Sequence, residues 1–169
     1  MGNAAATIAQ PVLLDNTVLT NLALVGRTDL VMRLWPTAAC TTSSVLDEYE
    51  AGAASGLLPA DAWTDLPVVT LTEEETAFAA SLSPKLGAGE RSCLAVALHR
   101  QGLLVSDGLD ARRAAREHGI PKTGTVGILV LCVRRGHLSR EQADALLTEM
   151  ITLGYRSPVA SLDPLLDES

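Results

Sequence analysis

Two aspartates directly follow apolar runs, as if each stood at the end of a strand. The segments are Leu13-Leu14-Asp15 and Val105-Ser106-Asp107. In open α/β sheets, ligands bind in the crevice beyond the carboxyl ends of the strands, so the two carboxylates would converge there if the strands are neighbours. Each aspartate could instead simply cap the helix that follows it, a role that suits this residue type. Two such aspartates in one sheet favour a shared site.

Three further acidic residues could join such a site from separate segments. Glu90 stands at the start of a predicted helix, after the glycine-rich run Leu86-Gly87-Ala88-Gly89. Glu48 lies within another predicted helix, and Asp110 follows Asp107 by three residues, on the same side of a helical turn. The alternatives are structural, because Glu90 suits the positive end of a helix dipole and Glu48 could belong to a solvated acidic face.

Carboxylates gathered from distant segments, without histidine or cysteine companions, have one good chemical use. They hold hard divalent cations such as Mg²⁺ or Mn²⁺ through oxygen. Such ions activate water and stabilise a phosphodiester oxygen during in-line displacement. The three histidines, His99, His118 and His137, form no ligand-spaced pair, so we expect no zinc site. A serine or histidine nucleophile would need partners that the chain lacks at an obvious spacing.

Short apolar runs alternate with helical segments along the chain. The predicted strands span residues 11–14, 38–41, 67–71 and 103–106. The predicted helices span residues 17–24, 28–34, 43–53, 73–81, 90–101, 109–118, 125–135 and 140–153. Capping boxes, Thr72-x-x-Glu75 and Ser139-x-x-Gln142, mark the starts of two of them. This alternation predicts an α/β sandwich around a parallel sheet of four or five strands.

Composition restricts the class of protein and of partner. The chain has 169 residues, of which 47% are hydrophobic and 3% aromatic, and its net charge is −7. This length fits one domain, and the scarcity of aromatic residues argues against a β-sandwich and against base recognition by aromatic stacking. The negative charge excludes a generic basic nucleic-acid binder. It does not exclude an enzyme that holds nucleic acid through metal ions and a local basic patch.

The chain ends and the cysteines bear on organisation and location. Residues 1–10 are predicted to be a flexible N-terminal extension and residues 11–155 the folded domain. Residues 156–169 are predicted to be a loosely packed C-terminal tail that could contain a short helical turn. No Lys or Arg precedes Arg27 and the longest uncharged run has 14 residues, so we expect neither a signal peptide nor a membrane span. The three separate cysteines favour a reducing cytoplasm over a disulfide framework.

Five segments, in chain order, carry a resemblance to one nuclease family. They are Asp15-Asn16-Thr17-x-Leu19, Val45-Leu46-Asp47-Glu48, Leu86-Gly87-Ala88-Gly89-Glu90, Ser106-Asp107-Gly108-Leu109-Asp110-Ala111-Arg112 and Gly124-Thr125-Val126-Gly127-Ile128-Leu129. Together they resemble the PIN-domain nucleases, in the branch built on Asp-Thr-Ser, Gly-x-Gly-Glu and Asp-Asp-x-x-Ala-Arg motifs. The resemblance covers about residues 12–155 and implies a PIN-like three-layer α/β/α sandwich.

This resemblance implies a Mg²⁺- or Mn²⁺-dependent ribonuclease, commonly the toxin of a bacterial toxin–antitoxin pair of the VapC type. It implies Asp15, Glu48, Glu90 and Asp107 as catalytic acids. Asp15, Glu90 and Asp107 would be the metal ligands, with Asp110 as an accessory acid. An RNA substrate, a small antitoxin partner and a homodimer are implied in the same way.

Polar and basic neighbours complete the expected site. By the same resemblance, Asn16 is expected to orient Asp15 or contact a phosphate, and Thr125 to place a hydroxyl at the pocket rim. The cations expected to contact substrate phosphates are Arg112, Lys85 and Arg91.

One position departs from the family pattern in a way that bears on function. Gly108 stands where the second Asp of the Asp-Asp pair is usual. Two alternatives therefore stay open beside the ribonuclease. One is a catalytically degenerate PIN-fold binding or regulatory module, which Gly108 favours, and the other is a nuclease that acts on structured DNA.

Overall fold

Five short strands form one parallel sheet at the centre of the protein. The computed structural model describes residues 8–168, so most of the expected flexible extension, residues 1–10, lies outside the described part. The strands are β1 (Val12–Leu14), β2 (Ala39–Thr42), β3 (Val68–Val69), β4 (Leu103–Val105) and β5 (Lys122–Thr123). Their order is β3-β2-β1-β4-β5, and all neighbouring pairs are parallel. The predicted parallel sheet is confirmed.

The register between β1 and β4 ends these two strands at the same level. Leu14 pairs with Val105, so Asp15 follows one strand where Ser106 follows the other. Successive side chains of a strand point to opposite faces of the sheet, yet Leu13 and Leu14 are both fully buried. Helices therefore cover both faces at the centre of the sheet, and the predicted three-layer α/β/α sandwich is confirmed.

Helices connect the strands and form the two outer layers. They are α1 (Asn16–Leu24), α2 (Asp29–Leu34), α3 (Ser43–Ala54), α4 (Glu73–Ser81), α5 (Ala88–His99), α6 (Leu109–Glu117), α7 (Thr125–Arg134), α8 (Arg140–Thr152) and α9 (Asp163–Leu166). Both predicted capping boxes form, at Thr72 with Glu75 and at Ser139 with Gln142. α5 packs against β1, β2 and β4, over the centre of the sheet. Within residues 8–168, the helices are too short or too polar to cross a membrane.

The edge strand β5 has no counterpart among the predicted strands. Its two residues, Lys122 and Thr123, are polar and half-buried, so they form no apolar run. They become a strand because they pair with β4. The carbonyl of Thr123 also accepts a hydrogen bond from the N–H of Ser106 at 2.9 Å, which extends the pairing beyond the end of β4. The edge strand thereby fixes the chain just before Asp107.

The C-terminal segment is anchored to the rest of the domain. Leu162 is fully buried within the apolar core. Arg140 of α8 forms ion pairs with Asp163 at 3.2 Å and with Asp167 at 2.7 Å. This differs from the loose packing that the sequence predicts for residues 156–169. The difference arises because Leu162 completes the core, and Val159, Leu165 and Leu166 pack against it.

Replacing Leu162 with Ala should lower the free energy of unfolding by about 2–4 kcal/mol, because the change opens a cavity in the core. Leu153 is 49% exposed and provides a control with the same chemistry. Leu153→Ala should change the free energy of unfolding by less than ~0.5 kcal/mol. Urea denaturation of both variants and the parent protein measures these values. Equal and small effects would contradict the packing described for the C-terminal segment.

Candidate functional site

Asp15 is fixed at the end of β1 through both of its carboxylate oxygens. One oxygen accepts a hydrogen bond from the backbone N–H of Asn16 at 2.8 Å, which caps α1. The other accepts a hydrogen bond from the Ser106 hydroxyl at 2.8 Å. Asp15 is 3% exposed, and this burial raises its pKa, while the two hydrogen bonds lower it in part. Asp15 therefore caps a helix and also presents a fixed carboxylate at the sheet edge.

Four hydrogen bonds orient the carboxylate of Asp107 beyond the end of β4. Its Oδ1 accepts from the backbone N–H of Thr125 at 2.8 Å and from the Tyr155 hydroxyl at 3.3 Å. Its Oδ2 accepts from the Thr125 hydroxyl at 2.6 Å and from the Asn21 amide at 3.3 Å. The Asn21 amide also donates to the Thr125 hydroxyl oxygen at 3.1 Å. Two helices and the C-terminal segment thus hold one carboxylate in place.

Ser106 ties the end of β1 to the start of α6. Its fully buried hydroxyl donates to Asp15 and accepts a hydrogen bond from the backbone N–H of Gly108 at 3.2 Å. Its carbonyl accepts a hydrogen bond from the Arg112 guanidinium at 3.2 Å. Arg112 is therefore held at the strand end by the backbone.

Glu48 on α3 reaches across to the start of α5. Its Oε1 accepts a hydrogen bond from the backbone N–H of Gly89 at 3.0 Å. A Cβ atom at position 89 would lie 2.8 Å from that oxygen, so a larger residue there would displace the Glu48 carboxylate from this contact. The contact gives Glu48 a structural role and also places its charge at the N-terminus of α5.

Mutual repulsion shows that the acids lie close together. Burial and then the negative charges of Asp15, Glu48 and Asp110 raise the pKa of Glu90 to about 7. The charges of Glu48 and Asp107 also act to raise the pKa of Asp15. Acids from β1, α3, α5 and α6 thus interact at one edge of the sheet. We refer to Asp15, Glu48, Glu90, Asp107 and Asp110 as the acidic cluster.

Gly108 lies beside Glu90, at a position where a Cβ atom would make ordinary van der Waals contacts. A Cβ atom at this position would lie 3.4 Å from Oε1 of Glu90 and 3.6 Å from the hydroxyl oxygen of Ser106. The φ angle of Gly108 is −68°, which any residue adopts. The backbone therefore does not require a glycine here. An aspartate here would add a carboxylate beside Glu90. With glycine, the acidic cluster has one negative charge fewer.

The remaining predicted residues lie in different surroundings. Asn16 begins α1, and its side-chain oxygen is buried without a hydrogen-bond partner among the described residues. Arg91 lines a separate cleft beside β3 and α4. Lys85 is exposed in the loop before α5. Across residues 8–168, no hydrogen bond or ion pair joins Lys85 or Arg91 to the acidic cluster.

Three residues that hold the aspartates are not singled out by the sequence patterns. Asn21 is 8% exposed. A polar amide among the apolar residues of α1 is the sequence feature that could have identified it. Ser106 stands next to Asp107 at the strand end. Tyr155 gives no local signal, because its contact with Asp107 spans 48 positions and depends on how the C-terminal segment packs.

The donor chemistry of the acidic cluster fits a divalent cation. Its members present only oxygen, a bound cation would relieve their repulsion, and the unpartnered oxygen of Asn16 adds a neutral acceptor next to Asp15. The ligand atoms are therefore suited to a divalent cation, but they do not form a preorganised coordination site. Residues 8–168 contain no ready-made group of three or more Asp, Glu, His or Cys side chains that could hold a metal ion.

Glu90→Gln should stabilise the protein at alkaline pH. The folded-state pKa of Glu90 is about 7, above its ordinary value of 4.5. Stability due to the protonated carboxyl is therefore complete below about pH 4.5 and is lost as the pH rises through about 7. Because water reaches this half-buried carboxyl, we expect the variant to gain only ~1–2 kcal/mol at about pH 8.

Urea denaturation of the parent and Glu90→Gln proteins at about pH 5 and about pH 8 measures this effect. Glu74, an exposed glutamate of α4, supplies the control variant Glu74→Gln. A difference between parent and Glu90→Gln that is the same at both pH values would contradict crowding of the acids around Glu90.

Comparison with known proteins agrees with this geometry at the level of the family. No curated protein and no solved structure gives a significant match to the chain. A family model described as a PIN domain matches residues 11–169, which is most of the sequence. PIN domains are generally nucleases, and they typically use divalent metals. The parallel five-stranded sheet with acids beyond the ends of its central strands is consistent with that fold. The chain belongs to the PIN-domain family.

Proposed function

We propose that the protein is a Mg²⁺- or Mn²⁺-dependent ribonuclease that hydrolyses phosphodiester bonds. The observation that carries the proposal is the convergence of the acidic cluster at the carboxyl edge of β1 and β4. Burial, and then the charges of three neighbouring acids, raise the pKa of Glu90, which supports this convergence. Within residues 8–168 no basic side chain forms an ion pair with these acids, which favours a cation as their partner.

Asp15, Glu90 and Asp107 would hold the cation in this proposal. When bound, the ion would activate water and neutralise charge on the phosphate. The protein's own contribution is positioning: Ser106 fixes the direction of Asp15, and Thr125 fixes that of Asp107. Glu48 anchors the start of α5 and so sets where Glu90 stands. Arg112, held at the strand end, would contact a substrate phosphate.

A catalytically degenerate module is the second candidate, and Gly108 is the observation that favours it. The glycine removes a carboxylate from the position beside Glu90. Asp110 follows in the first turn of α6 and is the acid that could compensate in part. A nuclease acting on structured DNA is the third candidate, and no contact in the structure favours it.

The biological setting belongs to the proposal as well. The resemblance to VapC-type proteins supports a toxin that forms a homodimer and is held in check by a small antitoxin. The three cysteines are free and buried, which suits a reducing cytoplasm. Growth arrest on expression in a bacterial host, relieved by one small co-expressed protein, would support this role. Normal growth of cells that contain the folded protein would count against it.

Asp15→Asn and Asp107→Asn should each reduce RNA cleavage by at least ~100-fold, because each change removes a charge that holds the cation while keeping the side-chain shape. Asp110→Asn is the matched control and should cost less than ~10-fold, as expected of an accessory position. Cleavage of a fluorescent single-stranded RNA with Mn²⁺ gives the rates, and melting temperatures confirm folding.

The same assay with DNA of the same sequence separates the substrate classes. Cleavage of RNA but not of DNA supports the ribonuclease. A parental rate in the Asp15→Asn variant would show that the acidic cluster is not the active site. If the parent protein cuts neither substrate, the degenerate module becomes the better description.

Gly108→Asp should tighten Mn²⁺ binding several-fold, because it adds a carboxylate next to Glu90 at a position whose backbone suits aspartate. Gly108→Asn, which has the same shape without the charge, is the control. Calorimetric titration with Mn²⁺ measures the affinities of both variants and of the parent protein. Equal affinities of the Asp and Asn variants would place the metal away from Glu90.

A further inference from the structure

A cleft of about 790 Å³ adjoins Asp107. It lies between the start of α6, the β5–α7 segment and the C-terminal segment. Its volume falls within the range of ~300–1,000 Å³ that is usual for small-ligand sites. The large apolar residues that line it are Leu109, Val126, Val130, Pro158 and Leu165. Leu109 is 82% exposed, so its side chain forms an accessible part of this apolar lining.

Four cations line the same cleft, and no acidic side chain among residues 8–168 forms an ion pair with them. They are Arg112, Lys122, Arg134 and Arg156. None of them takes part in an ion pair within residues 8–168, although four other arginines do. The acidic lining residues are Asp107 and Glu168, so four cations face two acids in the cleft. In a chain with a net charge of −7, this local excess of positive charge indicates an anionic ligand.

The cleft has apolar walls that suit the base of a nucleotide and unpaired cations that suit its phosphate. Arginine and lysine contact phosphate oxygens, while the faces of a base pack against apolar side chains. An acidic peptide would match the charge equally well. It would not explain why the cleft opens beside Asp107, whereas an RNA strand cut at the acidic cluster must place its next nucleotide close by.

We propose that this cleft binds one nucleotide of the RNA substrate next to the scissile phosphate, with the base against the apolar walls and the flanking phosphates on Arg112 and Arg156. The inference rests on the proposed nuclease function and specifies its substrate contact. Because a larger base buries more surface against apolar walls, the cleft discriminates by base size at one position beside the cut. In this arrangement the acidic cluster binds the reacting phosphate, and the cleft sets the register of the RNA strand.

Binding of RNA without metal tests this proposal apart from catalysis. The probes are fluorescein-labelled single-stranded decamers of each homopolymer, measured by anisotropy in EDTA at low salt. Arg156→Glu should weaken binding at least ~10-fold, the usual effect of losing a charge-assisted contact. Arg113 is exposed on α6 and does not line the cleft, so Arg113→Glu changes the net charge equally and should weaken binding less than ~2-fold.

The apolar wall is tested with the exposed Leu109, whose replacement does not threaten folding. Leu109→Ala should reduce the differences in affinity among the four homopolymers, and it should alter the preferred base next to the cut when a random RNA is cleaved with Mn²⁺. The 5′-nucleoside monophosphates should compete with the decamers for the parent protein.

Three results would overturn the proposal. The first is equal weakening by Arg156→Glu and Arg113→Glu, and the second is no RNA binding by a protein that does bind an acidic amphipathic peptide. The third is parental cleavage and base preference in both Arg156→Glu and Leu109→Ala, which would leave the nuclease intact and remove the cleft from it. Cleft-dependent RNA binding by a protein that cuts no RNA would instead support the cleft and contradict the nuclease.

Discussion

Parallel pairing of β1 with β4 is the constraint on which the rest of the structure depends. The pair Leu14–Val105 is the last in the ladder, and the backbone N–H of Asp15 continues it by donating to the carbonyl of Val105 at 3.0 Å. Because the strands are parallel and end together, residues more than 90 positions apart meet at one edge. The hydrogen bond from Ser106 to Asp15 is possible only in this register. A slip of one residue would turn every side chain to the opposite face.

Helix N-termini explain how the fold tolerates so many carboxylates at this edge. Asp15 accepts the N–H at the start of α1, Glu48 accepts that of Gly89 in the first turn of α5, and Asp107 accepts that of Thr125 at the start of α7. Unpaired N–H groups and the positive end of the helix dipole favour negative charge. Each of these three acids thus has its own local compensation. Glu90 accepts no hydrogen bond within the described chain, and its pKa is raised the most clearly of the acids.

The sequence predicts the parts of this site that local patterns encode. Asp15 and Asp107 follow apolar runs, so their position beyond neighbouring strands could be inferred from the alternation of elements. Contacts made by distant segments could not be inferred. Tyr155, just after α8, contacts Asp107 across 48 positions of the chain, and Leu162 of the segment that follows is buried in the core. β5 was not predicted for a similar reason. Its two polar residues form a strand only because they pair with β4.

Asp107 stands at the boundary between two regions of opposite charge. Asp15 follows the neighbouring strand β1 on one side of β4, and the cleft with Arg112, Lys122, Arg134 and Arg156 lies on the β5 side. A polyanion would be repelled by the first region and attracted by the second, so an acidic protein could hold RNA in the cleft before any cation is bound. A phosphate could approach the acids only once a divalent cation had reversed the local charge. Substrate affinity and metal affinity would then be set by different residues, and the metal would control the chemical step rather than the initial capture of the strand.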